Sequence, residues 1–315
     1  MTEAAIRTEG LSKSFGSVHA VNSLDIEVPA GIIFGFLGPN GSGKTTTINL
    51  LLGLLEPTGG HAEVLGFDIE TQADELRAHT GALLEHSGIY EQMSAEENLE
   101  YYGRIYRMPM GLREGRIREL LEQMGLWERR AERAGTWSRG MQQKLAVARA
   151  LMHQPAVVFL DEPTAGLDVV AASALREDLA NLVVSEGATV FLTTHNMAEA
   201  ERLCDRVAVV RGGQLLAVGH PDEIRARAGG PHLQVFGDAF REQALVRLRE
   251  QPSVTSVVQQ NGHLSVQLQE GADTAELVSL LVGAGVRIEE VRRGQASLEE
   301  AFLTMMEEEE CSPTS

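Results

Sequence analysis

The sequence predicts an α/β fold followed by a smaller α+β unit, on three observations. Residues 1 to about 225 alternate short apolar runs with amphipathic helical patterns. Three of those runs, "GIIFGFL", "AVVFL" and "ATVFLTT", lead into polar or Gly-rich residues, where α/β proteins place their ligands. Past a Gly- and Pro-rich break, the rhythm changes to β-α-β-β-α-β, the order of a ferredoxin-like unit.

Bulk properties narrow the function classes. The 315 residues are 43% apolar and 23% charged, an ordinary globular composition with room for about two domains. No apolar run approaches the ~20 residues that span a bilayer. "MTEAAIRTEG" lacks the basic start and apolar stretch of a signal peptide. Cys204 and Cys311 stand far apart without His or Cys companions, which argues against a disulfide framework or zinc site and fits a reducing cytoplasm. The net charge of −18 weighs against a nucleic-acid partner and against adhesion to anionic lipid through a basic surface.

The first apolar run leads into "GPNGSGKTTT". Gly38, Gly43, Lys44 and Thr45 satisfy G-x4-G-K-[ST], with Asn40, Gly41, Ser42 and Thr46 completing the stretch. Glycines let backbone N–H groups approach phosphate oxygens, and the following helix points its positive end at them. Lys44 would reach the β- and γ-phosphates, and the Thr45 hydroxyl would ligate Mg²⁺. A chance match in a Gly-rich chain is the bland alternative; the apolar strand before and the apolar helix after argue against it.

Next, "TWSRGMQQKLAVARAL" reads as a turn and then a long helix. Ser138 can cap that helix or aim its hydroxyl at an anion, and Gly140 lets something approach the backbone. Met141, Leu145, Ala148 and Met152 form its expected buried stripe. A second anion-binding helix start is redundant beside a complete cradle. It makes sense if a second copy of the chain delivers it to the other side of the nucleotide.

"AVVFLDEP" then ends a strand on Asp161 and Glu162. Asp161 would help to hold Mg²⁺, and Glu162 would polarise a water attacking the γ-phosphate. His195 follows the strand "TVFLTT"; a lone His is usually a surface or core residue, but here it could bond the γ-phosphate or the attacking water.

"GHPDEIRARAGGPH" is read as the break, with 226–231 as linker. In residues 232–315, "DAFREQALVRLRE" places Phe240, Ala244 and Leu248 on one helical face, and Asn261-Gly262 predicts a hairpin. "SLEEAFLTMM" closes with Ser297 and Glu300 spaced as a capping box, ahead of an acidic tail. No catalytic constellation stands out in this unit.

Taken together, the residues of about 5 to 225 resemble the ATP-binding subunits of ABC transporters. "WSRGM" is similar to their signature motif, "GPNGSGKTT" to Walker A, and "VVFLDEPTAGLD" to Walker B with the D-loop. The resemblance implies a P-loop cassette with a helical subdomain over about 88–150. It puts Asp168 on the D-loop aspartate, His195 on the switch histidine and Phe15 on the aromatic that stacks on adenine. It further implies an ATP-sandwich homodimer that hydrolyses ATP to drive a separately encoded permease, peripheral on the inner face of the cell membrane. Three positions depart from the pattern: Glu85 stands for the usual glutamine, with an expected metal or coupling role; Arg139 and Met141 alter the signature; and Phe15 replaces Tyr. With "SLEEAFLTMM", these features resemble the ABC-2-type exporter branch of the daunorubicin-resistance kind. The alternative is a non-transport ABC ATPase acting as a cytoplasmic switch. Such relatives typically fuse two cassettes or carry a long coiled coil, and neither is present.

Overall fold

The computed structural model describes residues 4–227, 232–260, 263–269, 271–294 and 297–311. Contacts divide the chain into two compact units, Met1–Gly219 and His220–Ser315.

In the first unit, β1 (Ala4–Phe15) and β2 (Val18–Pro29) form a long hairpin. Then follow β3 (Ile33–Leu37), α1 (Lys44–Leu51), β4 (Gly59–Val64), β5 (Phe67–Asp68), α2 (Ala73–His79) and β6 (Thr80–Leu83). The helical stretch holds α3 (Ala95–Ile105), α4 (Met110–Gln123) and α5 (Arg139–Ala150). The unit closes with β7 (Val157–Asp161), α6 (Val169–Glu186), β8 (Thr189–Thr194), α7 (Met197–Leu203), β9 (Arg206–Arg211) and β10 (Gln214–Gly219).

A six-stranded sheet in the order β10-β9-β3-β8-β7-β6 carries the unit. Its strands are parallel apart from the antiparallel edge strand β10. β3 and β8 are buried at every residue, which is why they read as unbroken apolar runs rather than alternating ones. Phe191 sits between Phe34, Phe36 and Phe159, with centroids 5.6, 5.5 and 5.6 Å away. Gly35 interrupts this aromatic strand because a side chain there would lie 2.7 Å from the Cys204 sulfur. Burial in turn pushes the Cys204 thiol far above its ordinary range, so it is an inert core residue. A second sheet, β2-β1-β4-β5, packs its apolar face into the same core.

Side-chain bonds fix the helical layer. Ser94 and Glu97 form a reciprocal capping box at α3. Arg116 of α4, almost fully buried, donates to Glu186 at 2.7 and 2.8 Å and to the Leu151 carbonyl at 2.9 Å. Of the expected stripe on α5, Leu145, Ala148 and Met152 are buried, but Met141 is half-buried because it lies in the exposed first turn.

The second unit begins with α8 (Pro221–Arg227), so the boundary falls at Gly219/His220 rather than after residue 225. Pro221 occupies the first helical position, where a missing N–H costs nothing, and so it starts a helix within a stretch that reads as a break. Of the expected linker 226–231, residues 226 and 227 belong to α8 and the rest lie outside the described residues. Then come β11 (His232–Asp238), α9 (Glu242–Arg249), β12 (Val254–Gln260), β13 (His263–Leu268), α10 (Thr274–Gly283), β14 (Arg287–Gly294) and α11 (Leu298–Cys311). The sheet order is β12-β13-β11-β14, all antiparallel, as the ferredoxin-like reading requires. Asn261 and Gly262 lie outside the described residues, but Gln260 pairs with His263 on either side of them. α9 and α10 cover one face of this sheet, with Ala244, Leu248, Leu277 and Leu281 buried in its core.

Candidate active site

The loop between β3 and α1 is shaped by two glycines. Gly43, at φ 97°, is the left-handed residue before α1; a side chain there would lie 2.1 Å from the Ala20 carbonyl of β2. At Gly38 a side chain would lie 2.4 Å from the Val210 carbonyl of β9. The loop thus lies against backbone on both flanks, and Asn40 and Gly41 stay exposed between them. Ser42 is buried, and its Oγ has no hydrogen-bond partner among the described residues. Thr46 is half-buried in the first turn of α1.

Lys44 is only 6% exposed. Its ammonium donates to the Gly38 carbonyl at 2.9 Å and the Pro39 carbonyl at 3.1 Å, and pairs with Glu162 at 3.3 Å. A buried cation requires such partners. Two of them are carbonyls of the loop itself, and the third is the carboxylate that follows β7.

The ends of β7 and β8 supply the opposite wall. Asp161 accepts from Thr45 Oγ1 at 2.7 Å on one oxygen and from Thr193 Oγ1 at 2.5 Å on the other. Glu162 turns left-handed, at φ 49°, with its amide donating to the Thr193 carbonyl at 3.1 Å. That turn aims its carboxylate between Lys44 and His195, whose Nδ1 lies 2.9 Å from Glu162 Oε2. His195 is exposed and follows the last residue of β8. A hydroxyl, a carboxylate, a cation and a carboxylate–imidazole pair therefore converge on one spot.

Thr45, Asp161 and Glu162 line a cleft of about 480 Å³ with Glu85, Arg139, Gln142, Gln143 and Ala165. Glu85 stands exposed in the loop after β6. Among the described residues, no three His, Cys, Asp or Glu side chains converge to hold a metal on their own. The donors present, Thr45 and Asp161, suit an ion that brings most of its oxygens with it, as Mg²⁺ does on a nucleotide triphosphate.

The structure keeps four other expected residues out of this cluster. Ser138 is exposed at the N-terminus of α5 and accepts from the Met141 amide at 3.4 Å. Gly140 faces α6, where a side chain would lie 2.9 Å from the Ala171 Cβ. Asp168 caps α6 by accepting from the Ala171 amide at 2.9 Å. Beside it, Val169 and Val170 are 83% and 79% exposed. Phe15, half-exposed at the end of β1, lies under the Lys13 ammonium at 5.3 Å.

Three participants escape sequence reasoning. Thr193 ties Asp161 to the Glu162 turn. Gln143 donates to the Pro163 carbonyl at 2.7 Å, tying α5 to the loop after β7. Glu199, 3% exposed, accepts from Thr164 of that loop at 2.8 Å and from Thr194 of β8 at 3.2 Å. The one sequence signal was the polar Thr-Thr pair closing an apolar strand.

Comparison with known proteins agrees with this geometry. The ABC transporter family model matches residues 21–165, and the model of the ATP-binding protein DrrA1-3-like C-terminal domain matches residues 219–306. The chain is 35% identical over 305 residues to daunorubicin resistance ATP-binding protein DrrA3 of Streptomyces coeruleorubidus, covering 96% of each chain. It is 33% identical over 302 residues to bacitracin transport ATP-binding protein BcrA of Bacillus licheniformis, covering 96% of this chain and 97% of that one. A solved ATP-binding subunit of an ABC transporter superposes with a TM-score of 0.63 at 30% identity, over 70% of this chain and 92% of that one. With its fold, nucleotide cradle and second unit all accounted for, the chain belongs to the ATP-binding subunits of ABC transporters, in the daunorubicin-resistance branch, and is an ATPase.

Proposed function

We propose that this ATPase works as an ATP-sandwich homodimer that drives a separately encoded exporter permease from the inner face of the cell membrane. The observation that carries the reading is Glu162, held between Lys44 and His195 beside the Thr45–Asp161 pair. Triphosphate entering the Gly38–Thr46 loop draws Lys44 off the two loop carbonyls and off Glu162. Glu162, steadied by His195, then accepts a hydrogen bond from a water and aims its oxygen at the γ-phosphorus. As that oxygen bonds to phosphorus, the water's proton passes to the Glu162 carboxylate, the bond to the β–γ bridging oxygen breaks, and ADP leaves with the electron pair. Thr45 and Asp161, with Glu85 at the cleft wall, would hold Mg²⁺, which neutralises charge on the β- and γ-phosphates when bound. Phe15 offers its face to the adenine.

The homodimer is supported by what this chain leaves exposed. Ser138, Asp168 and the two valines after it face away from the chain's own core, as a lid for a second copy's nucleotide would. Among the described residues no helix is long and apolar enough to cross a membrane, so transport calls for a partner that spans it. The relatives named for drug resistance and bacitracin transport support export. The test is Glu162→Gln: with ATP it should bind nucleotide, hydrolyse it at least ~10²-fold more slowly, and accumulate as a dimer by light scattering. A variant that stays monomeric with saturating ATP would overturn the sandwich. Failure to co-purify with any multi-helix membrane protein would overturn the transport role.

A further inference from the structure

Among the described residues β14 is an edge strand: in the order β12-β13-β11-β14 its one partner is β11. Arg287 and every residue from Glu289 to Arg293 are exposed. An edge of this kind presents unpaired N–H and C=O groups, and proteins commonly blunt it with charge. Here the charges have an order that does more than blunt it. The run Glu289-Glu290-Val291-Arg292-Arg293 is two acids, an apolar residue and two bases.

We propose that β14 pairs antiparallel with β14 of a second copy about a two-fold axis at Val291, joining two four-stranded sheets into one. In that register Val291 faces the partner's Val291 and Glu290 faces the partner's Arg292; Glu289, the extra residue of a bulge in β14, lies beside this ladder on the way to the partner's Arg293. Directly opposed side chains share a face of the sheet, so each pair can meet. This register aligns more opposite charges than any other centre on the strand: an axis at Ile288 matches only Glu289 with the partner's Arg287. Centring the axis on Glu290 sets Glu290 against itself, and centring it on Arg292 sets Arg292 against itself.

The two faces agree with the pairing already present inside the chain. Val291 lies opposite Val235, a fully buried core residue of β11, so the apolar layer runs out to the proposed axis. Glu290 lies opposite Phe236, and Arg292 stacks over that ring at 5.0 Å while bonding Glu290 at 2.8 Å. Across the axis, this internal pair would extend into an alternating four-charge row. Because one edge meets its own copy, the assembly closes at two chains. The contact needs neither nucleotide nor permease, so it goes beyond the ATP-dependent sandwich; the two are told apart by running the Glu162→Gln light scattering in the Glu289→Arg/Glu290→Arg background, where only the sandwich can form the dimer.

The experiment is sedimentation of the full chain without nucleotide, in EDTA, across roughly 1–100 µM. The wild type should self-associate with concentration. Glu289→Arg/Glu290→Arg makes the run all basic, and Arg292→Glu/Arg293→Glu makes it all acidic; each alone should weaken association at least about tenfold. Mixed in equal amounts, the two variants should associate again, since every opposed pair is then of opposite sign. That recovery also shows that both are folded. In a Cys311→Ser background, Val291→Cys should cross-link chain to chain under mild oxidation, while Val258→Cys on the other edge strand should not. A wild type that stays monomeric throughout, a mixture that fails to associate, or equal cross-linking at position 258 would each overturn the proposal.

Discussion

At the start of α1, Lys44 is buried and its ammonium is held by two carbonyls and a carboxylate of its own chain. At the start of α5, Ser138 is exposed and its hydroxyl caps its own helix through the Met141 amide. Both ends offer N–H groups and a positive dipole to an anion. The α1 end is walled by β2, β7, β8 and β9. The α5 end is held from behind, by Gln143 on the Pro163 carbonyl and by Gly140 against Ala171. The contrast is the one the proposed sandwich requires: a chain that holds its own cradle for binding and would only present the lid to a second copy.

The sharpest way to break that contrast is to damage each end separately. Lys44→Ala should lower ATPase activity at least ~10²-fold and weaken ATP binding with it. Ser138→Arg should cost a similar factor in turnover, yet leave ATP binding to the isolated chain within about twofold, because the lid is not part of the cradle. An equimolar mixture should regain up to about a quarter of wild-type activity: half of the dimers are mixed, and each has one intact site. Titration calorimetry and phosphate release separate these outcomes. If Ser138→Arg loses ATP affinity as Lys44→Ala does, α5 acts within its own chain and the comparison fails.

Backbone substitutions probe the same difference through stability. Gly43→Ala forces a side chain into left-handed backbone and onto the Ala20 carbonyl. It should cost about 3 kcal/mol or more in urea unfolding. Gly140→Ala meets the Ala171 Cβ at 2.9 Å, so α5 and α6 must move apart slightly; with helix propensity offsetting part of this, its cost should be about 1–2 kcal/mol, below that of Gly43→Ala. The next effect is smaller and chemical. Glu85→Ala should reduce ATPase activity about tenfold and raise the Mg²⁺ needed for half-maximal rate. Wild-type turnover and Mg²⁺ dependence would remove Glu85 from the site.

How much of this was legible follows from distance along the chain. Gly38, Gly43, Lys44 and Thr45 lie within eight positions, so their spacing alone specifies a loop and a helix end. Asp161 and Glu162 were readable because a buried strand announces its own end. The bond from Glu162 to His195 joins residues 33 apart, and only the sheet order, with β7 beside β8, brings them together. Glu199 was not legible: on α7 it looks like one more solvated acid, and only the fold buries it against Thr164 and Thr194. α8 was missed for a local reason, because Pro221 punctuates a sequence whether it ends a strand or opens a helix.

The smallest predicted effect concerns what anchors the far end of α5. His153, just beyond that helix, stacks on Tyr106 at 3.7 Å and bonds the Thr80 carbonyl of β6 at 3.0 Å. Its Nδ1 is buried with no partner among the described residues, and burial depresses its pKa from 6.5 to about 4. The imidazole is therefore neutral in the folded chain well below the pH at which the unfolded chain takes up a proton. Stability from this group is complete above about pH 6.5 and is lost as pH falls toward 4. By pH 5 the loss should reach about 2 kcal/mol, at about 1.4 kcal/mol per pKa unit. His153→Phe keeps the ring stack and removes the titration. Its urea midpoint should therefore fall less than that of the wild type between pH 7 and 5, even if it starts lower for want of the Thr80 bond. Parallel pH curves for the two proteins would show that His153 is not the acid-sensitive anchor of the lid helix.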